Sequence, residues 1–195
     1  MNVKSLVALS LLLICLGAQS QQVQSNSPER DGYLVTQILD SISINIGKPI
    51  YVDPRFNASQ RAHIFGKGLN ELNYGDLLRI LRLQGFTAYE TGDAINVVLT
   101  QGIRSNAVPI FEEGEHYYPD QYINKIITLA NLCAVSVLPK IRPLVAPSSH
   151  LTADMDANAL IMVDTYDNIL RIESILKQLE QSTDTRQNCH NNAVR

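Results

Sequence analysis

Chemistry in this 195-residue chain would have to come from a few groupings of His, Cys, Asp and Gly. The four histidines, His63, His116, His150 and His190, stand far apart. None belongs to a motif such as HExxH, which puts two imidazoles on one helix face for one metal ion. Asp154-Met-Asp156-Ala-Asn158 opens like a calcium loop, with oxygen ligands at alternate positions. Its sixth position is Ala159, where the sharp turn needs glycine, and its twelfth is Thr165, where a bidentate Glu belongs. The stretch reads instead as an Asx-rich turn. Gly66-Lys67-Gly68 lacks the preceding glycine and following Ser or Thr of a phosphate loop, and no G-x-S-x-G elbow occurs. Cys133 has no histidine motif nearby and opens an apolar segment, which suits a small core residue better than a nucleophile. The sequence therefore assigns no catalytic, cofactor-binding or metal-ligating residue and implies no cofactor. It does not single out partner-binding residues either.

Composition narrows the class. Hydrophobic residues make up 45% and charged residues 18%, ordinary values for a folded protein. The formal net charge is −3. A weakly acidic chain without a basic stripe argues against nucleic acid as partner and against electrostatic docking to anionic lipid. Residues 1–20 carry Lys4, an apolar run from Leu6 to Leu16 and small residues at Ala18 and Ser20, the three regions of a secretory signal peptide. That run is shorter than the ~20 residues of a membrane-spanning helix, so the mature product is expected to be exported and to span no membrane. It would keep Cys133 and Cys189. An oxidising compartment permits a bridge between them, although the sequence offers no geometric support for one.

Residues 21–30 form a polar, flexible lead-in. In 31–100, Asp31 can cap a helix with Leu34, Ile38, Leu39, Ile42 and Ile46 on one face, stopped by Gly47. Short strands follow at Pro49–Val52 and Arg61–Phe65. Asn70 or Asn73 then caps a second helix carrying Leu77, Leu78, Leu81 and Leu83, ended by Gly85. Phe86–Glu90 and Ala94–Thr100 flank Thr91-Gly-Asp93, a hairpin signal. Residues 101–120 hold Pro109, Pro119 and two glycines and read as a linker. Its Phe111, Tyr117 and Tyr118 suit either a partner contact at a domain junction or the packing of the two halves together, and the packing is expected. Residues 121–181 alternate strand and helix patterns as β-α-β-β-α. Their strands are Tyr122–Leu129, Leu151–Ala153 and a central, near-continuous apolar Ala159–Asp164. Their helices are Ala134–Val145 and one capped by Asp164 or Thr165, with Ile169, Ile172, Ile175, Leu176 and Leu179 on its buried face. Residues 182–195 are polar, aperiodic and expected to be disordered.

The second unit resembles the periplasmic N-domain repeated in bacterial secretins, above all the type II secretion secretin. The resemblance is carried by Ile127-Thr-Leu129, Ile141-Arg-Pro-Leu144, Ala153-Asp-Met-Asp-Ala-Asn-Ala-Leu-Ile161, Asp164-Thr165, Asn168-Ile169, Arg171-Ile172 and Ile175-Leu-Lys-Gln-Leu179. The first half resembles the signalling-type domain that opens secretins and is shared with TonB-dependent receptors. It does so through Gly47-Lys-Pro-Ile-Tyr-Val52, Leu69-Asn-Glu-Leu72, Gln84-Gly85-Phe86 and Ile95-Asn-Val-Val98. That family opens with a strand, but residues 25–30 are too polar for one, which leaves the first sheet a strand short.

The resemblance implies an α+β fold of two small domains, the first a secretin/TonB short-domain-like fold and the second a KH-like β-α-β-β-α unit. No G-x-x-G loop accompanies the KH-like order, so RNA clamping is not expected. It further implies a non-enzymatic, exported protein-interaction module of a type II secretion or type IV pilus-like apparatus. The expected location is the periplasm, with attachment to the outer membrane through a secretin complex. The expected partners are a secretin ring or its inner-membrane partner, with weak self-association. The sequence stops after the second N-domain and is not expected to form a pore by itself. The alternative is an independent periplasmic binding or regulatory protein on the same scaffold.

Overall fold

A computed structural model of the chain describes residues 32–182; the signal-peptide, lead-in and C-terminal-tail expectations lie outside them. In chain order the elements are β1 (Tyr33–Leu34), α1 (Val35–Ile46), β2 (Ile50–Val52), β3 (Arg61–Ala62), α2 (Tyr74–Arg82), β4 (Phe86–Thr91) and β5 (Ala94–Leu99). After them come β6 (Tyr122–Thr128), α3 (Ala134–Ile141), β7 (His150–Asp154), β8 (Ala159–Thr165) and α4 (Tyr166–Gln181). The fold is α+β.

The first half builds a three-stranded sheet in the order β2-β5-β4, with β2 parallel to β5 and β4 antiparallel. Strands β1 and β3 form a separate two-stranded ribbon. The opening strand expected to be missing thus exists at Tyr33–Leu34, but it joins β3 and not the main sheet. Because the chain is extended there, α1 begins at Val35. Its N-cap is Leu34, whose N–H donates to Gln37 Oε1 at 3.1 Å, and not Asp31, which lies outside the described residues. Gly47 ends α1 at φ 73°, a left-handed conformation that costs glycine little. Its N–H closes onto the Ser43 carbonyl at 2.9 Å.

Helix α2 opens with a reciprocal cap. Asp76 N donates to Asn73 Oδ1 and Asn73 N to Asp76 Oδ2, both at 3.1 Å. Its core face is Tyr74, Leu77, Leu78, Ile80 and Leu81. Leu83, expected on that face, is 84% exposed because the helix has already ended at Arg82. These residues pack with Val35, Ile38, Ile42, Phe86, Ile95 and Val97 into one core.

The second half has the sheet order β6-β8-β7, antiparallel throughout, with the apolar strand in the middle as its pattern requires. Ile123, Leu151, Leu160 and Met162 meet Val137, Ile141, Ile169, Ile172 and Leu176 in a separate core. Helix α3 is four residues shorter than its apolar spacing suggested. Pro143 has no N–H to donate to the carbonyl four residues back, and the chain tightens into a 3₁₀ turn over Arg142–Leu144. Helix α4 follows Thr165 without a side-chain cap. The N–H groups of Tyr166 and Asp167 donate instead to the carbonyls of Gln121 (2.9 Å) and Pro119 (3.0 Å).

Between β7 and β8 the Asx-rich turn is locked by Ala157 N donating to Asp154 Oδ1 at 2.7 Å. Asn158 sits at φ 46°, and its side chain reaches out of the turn. Its amide donates to the carbonyls of Leu129 (2.8 Å) and Leu132 (2.9 Å), and its oxygen accepts from Ala134 N (2.9 Å) at the start of α3. Asn158→Ala removes three bonds at a conformation alanine adopts poorly. It is expected to cost about 3 kcal/mol in urea denaturation, and Asn158→Gly, which relieves only the backbone, about 2 kcal/mol.

Candidate functional site

Among the described residues, the His, Cys and acidic side chains weighed in the sequence do not gather into a metal constellation. His63 is exposed beyond β3 and stacks on Phe65 (centroids 6.4 Å apart), His116 lies edge-on to Tyr118 (5.0 Å), and His150 opens β7. His190 falls outside the described residues. Among the described residues no three His, Cys, Asp or Glu side chains gather as metal ligands would. Cys133 is buried at the N-cap of α3, as its apolar context suggested, and is disulfide-bonded.

What the fold does offer is sheet edges. The outward peptide groups of β4 include the Ala88 carbonyl, which accepts from the Tyr74 hydroxyl at 3.2 Å. Burial pushes that hydroxyl far above its ordinary pKa, so it remains a donor. The β6 edge is met by the connector: Asn124 N donates to the Pro109 carbonyl (2.7 Å) and Phe111 N to the Asn124 carbonyl (2.8 Å). On β7 the Leu151 carbonyl accepts from Arg142 Nη1 at 2.8 Å.

Strand β2 differs. The bonds Ile95 N to Pro49 O and Asp53 N to Val97 O, both 2.9 Å, fix its alternation. Residues 49, 51 and 53 turn their peptide groups toward β5, so those of Ile50 and Val52 point outward. Among the described residues nothing bonds to that outer edge. Tyr51 is 62% exposed beside it. The short, open, parallel-paired edge of β2 is the candidate site.

The two halves are joined by more than a tether. Residues 101–120, expected to be a linker, bury Ile103 completely within a 3₁₀ turn over Thr100–Ser105. Ile103 and Val108 form a third cluster with Tyr122 and Val163 of the second sheet, against Tyr89 and Val98 of the first. Of the linker aromatics only Tyr118 crosses over. It packs on Tyr74 (5.5 Å) and so close to Gly75 that a Cβ there would lie 2.6 Å from its ring. Phe111 and Tyr117 instead stack with Tyr166 of the second half. Beside this contact Asp120, nearly buried, accepts from Arg82 Nη1 (2.5 Å) and Arg79 Nε (3.3 Å), and Arg82 also faces Asp167 at 3.5 Å.

Five of the residues that carried the resemblance in the second half, Leu144, Asp164, Thr165, Asn168 and Arg171, share one network. Asp164, 1% exposed, accepts from Thr165 N (2.7 Å) and Asn168 Nδ2 (2.6 Å). Asn168 Nδ2 (3.2 Å) and Arg171 Nη2 (2.9 Å) both donate to the Leu144 carbonyl. These side chains fix the loop that follows α3. Their role is to hold the fold, and the sequence pattern alone did not show that they act together.

Comparison with known proteins fits this geometry. The secretin XcpQ of Pseudomonas aeruginosa is 31% identical over 149 residues, 75% of this chain and 22% of that protein. The chain is homologous to the N-terminal domains of type II secretion secretins. The secretin GspD of Vibrio cholerae is 20% identical over 153 residues, 77% of this chain and 23% of its own. Among solved structures, the Klebsiella pneumoniae type II secretion system outer membrane complex of PulD, PulS and the PulC HR domain matches with a TM-score of 0.66. That match has 20% identity and covers 78% of this chain and 26% of that one, and it supports the fold. No family model matches the sequence. The chain spans about a quarter or less of the length of these secretins.

The junction yields a measurable coupling. The guanidinium of Arg82 is half exposed, so solvent screens its pair with Asp120. A double-mutant cycle of Asp120→Asn and Arg82→Gln in chemical denaturation is expected to return about 1 kcal/mol, shrinking in high salt.

Proposed function

We propose that this chain is a non-catalytic protein-interaction module of a secretin-type secretion apparatus, working in the periplasm at the outer membrane. The homology to secretin N-domains supports that class, and no helix among the described residues is long and apolar enough to cross a membrane. In this reading residues 31–100 and 121–181 are two small domains and 101–120 is the connector that docks one on the other. The partner is a secretin ring or its inner-membrane component. The Klebsiella complex, in which a secretin is bound to partner proteins, supports protein partners of this kind.

The observation that carries the binding mode is the open outer edge of β2. An extended partner segment can add a strand there, taking its affinity from main-chain hydrogen bonds to Ile50 and Val52 and its specificity from Tyr51. A proline at position 52 removes the outward N–H while leaving the bonds to β5 in place, which an edge strand tolerates.

Affinity capture from detergent-solubilised membranes of a secreting strain tests both levels. The wild-type chain is expected to enrich a secretion-system component. Val52→Pro, with its melting temperature within a few degrees of wild type, is expected to reduce that enrichment at least tenfold. Equal capture by both chains defeats the β2 edge. Capture of no secretion component by either defeats the module reading.

A further inference from the structure

The connector covers only the first part of the β6 edge. Asn124 turns its N–H and carbonyl outward to Pro109 and Phe111, while Leu129 N, at the far end of the strand, donates inward to the Asn158 carbonyl. Alternation along an antiparallel strand then turns the N–H and carbonyl groups of Ile126 and Thr128 outward as well. Among the described residues nothing bonds to them.

The connector leaves the edge because its next groups are held elsewhere. The Tyr117 hydroxyl donates to the Ile110 carbonyl (3.2 Å) and accepts from Glu112 N (2.8 Å), which folds the chain away from β6. Phe111 lies on the helix face of the sheet, with Lys125 Nζ 3.6 Å from its ring centroid. Ile110, bridged to Asn124, and Ile126 share the opposite face and are 70% and 65% exposed. Unpaired main-chain groups and exposed apolar side chains thus meet at one place.

The surrounding charge selects what fits there. The connector turns away through Glu112, Glu113 and Glu115, all exposed. From α4, Glu173 pairs with Lys125 (2.8 Å), and Glu180 accepts from Ala130 N (2.6 Å) just past the strand. Lys177 stands between those two glutamates at helical spacing. Lys125 and Lys177 together leave an excess of negative charge on this side.

We propose that the open part of the β6 edge, residues 126–128, is a second docking surface, for an extended protein segment in which apolar residues alternate with lysine or arginine. The main chain of that segment completes the ladder at Ile126 and Thr128. Side chains alternate between the two faces of a strand, so its apolar residues cover Ile126 and Ile110 while its basic residues meet the glutamates of α4 and the connector. This surface lies on the other sheet from β2 and stands independently of the β2 edge.

The probe is a fluorescent peptide of alternating valine and lysine, titrated with the purified chain and read by anisotropy. It is expected to bind about tenfold more tightly than the same peptide with glutamate in place of lysine, and to weaken as salt rises. Residue-by-residue hydrogen exchange locates the contact. The amides of Ile126 and Thr128 are expected to slow about tenfold with the lysine peptide bound, and those of Ile50 and Val52 to keep their rates. Replacing Glu112, Glu113 and Glu115 together by Gln is expected to weaken binding about fivefold at an unchanged melting temperature. Val52→Pro is expected to bind the peptide as the wild type does. Equal or no binding of the two peptides overturns the proposal, as does slowing at Ile50 and Val52 in place of Ile126 and Thr128. Slowing at Ile126 and Thr128 that grows with protein concentration without peptide also overturns it, because the occupant is then a second copy of the chain.

Discussion

Strand β8 is the constraint on which the second half of the molecule depends. It is the middle strand, paired on both sides, with Leu160 and Met162 fully buried between the sheet and the helices. Burying a side chain of that size stabilises by roughly 1.5–3 kcal/mol, and both flanking strands rely on the same register to keep their apolar faces inward. Each end of β8 then extends the order it sets. At the start, Asn158 holds the chain entering α3 by three side-chain bonds. At the finish, Asp164 and Asn168 hold the loop leaving it. One strand thereby positions both ends of α3, to which it is not adjacent in sequence.

The same strand reaches the first half through Val163, which faces away from its own core. With Tyr122 it meets Ile103 and Val108 of the connector, and Tyr89 and Val98 across the junction. Apolar contact gives this junction its cohesion, but such contact is non-directional. Direction comes from the groups around it: the paired arginines on Asp120 and the fit of Tyr118 over Gly75. The result is a connector that is part of the packing of both halves.

For the proposed interaction module, the distribution of engaged and open edges matters more than any single side chain. A free edge left in the wrong place invites aggregation. Here β4, β6 and β7 each have at least one outward group taken by a different partner: a tyrosine hydroxyl, the connector backbone and an arginine. Strand β2 keeps its outward groups at Ile50 and Val52 free among the described residues and is only three residues long, which limits what can add to it.

The sequence by itself determined the α+β class, nearly every helix and strand, and which strand of the second sheet is central. These follow from local periodicity and turn residues, as in the apolar run 159–164 or the glycine at position 47 that ends α1. It also pointed to the secretin N-domains, because the residues that carry the resemblance are those that hold this fold. Element ends were less legible where chain chemistry outweighed spacing, as when Pro143 cut α3 short. Tertiary structure alone decided the rest. No local pattern shows that Tyr33–Leu34 pairs with β3, that Ile103 is fully buried, or that Asn158 binds a loop some 25 residues away. The candidate site belongs to that second group. Whether a strand edge is open depends on what every other segment does with its own hydrogen bonds, and periodicity along one strand carries no information about that.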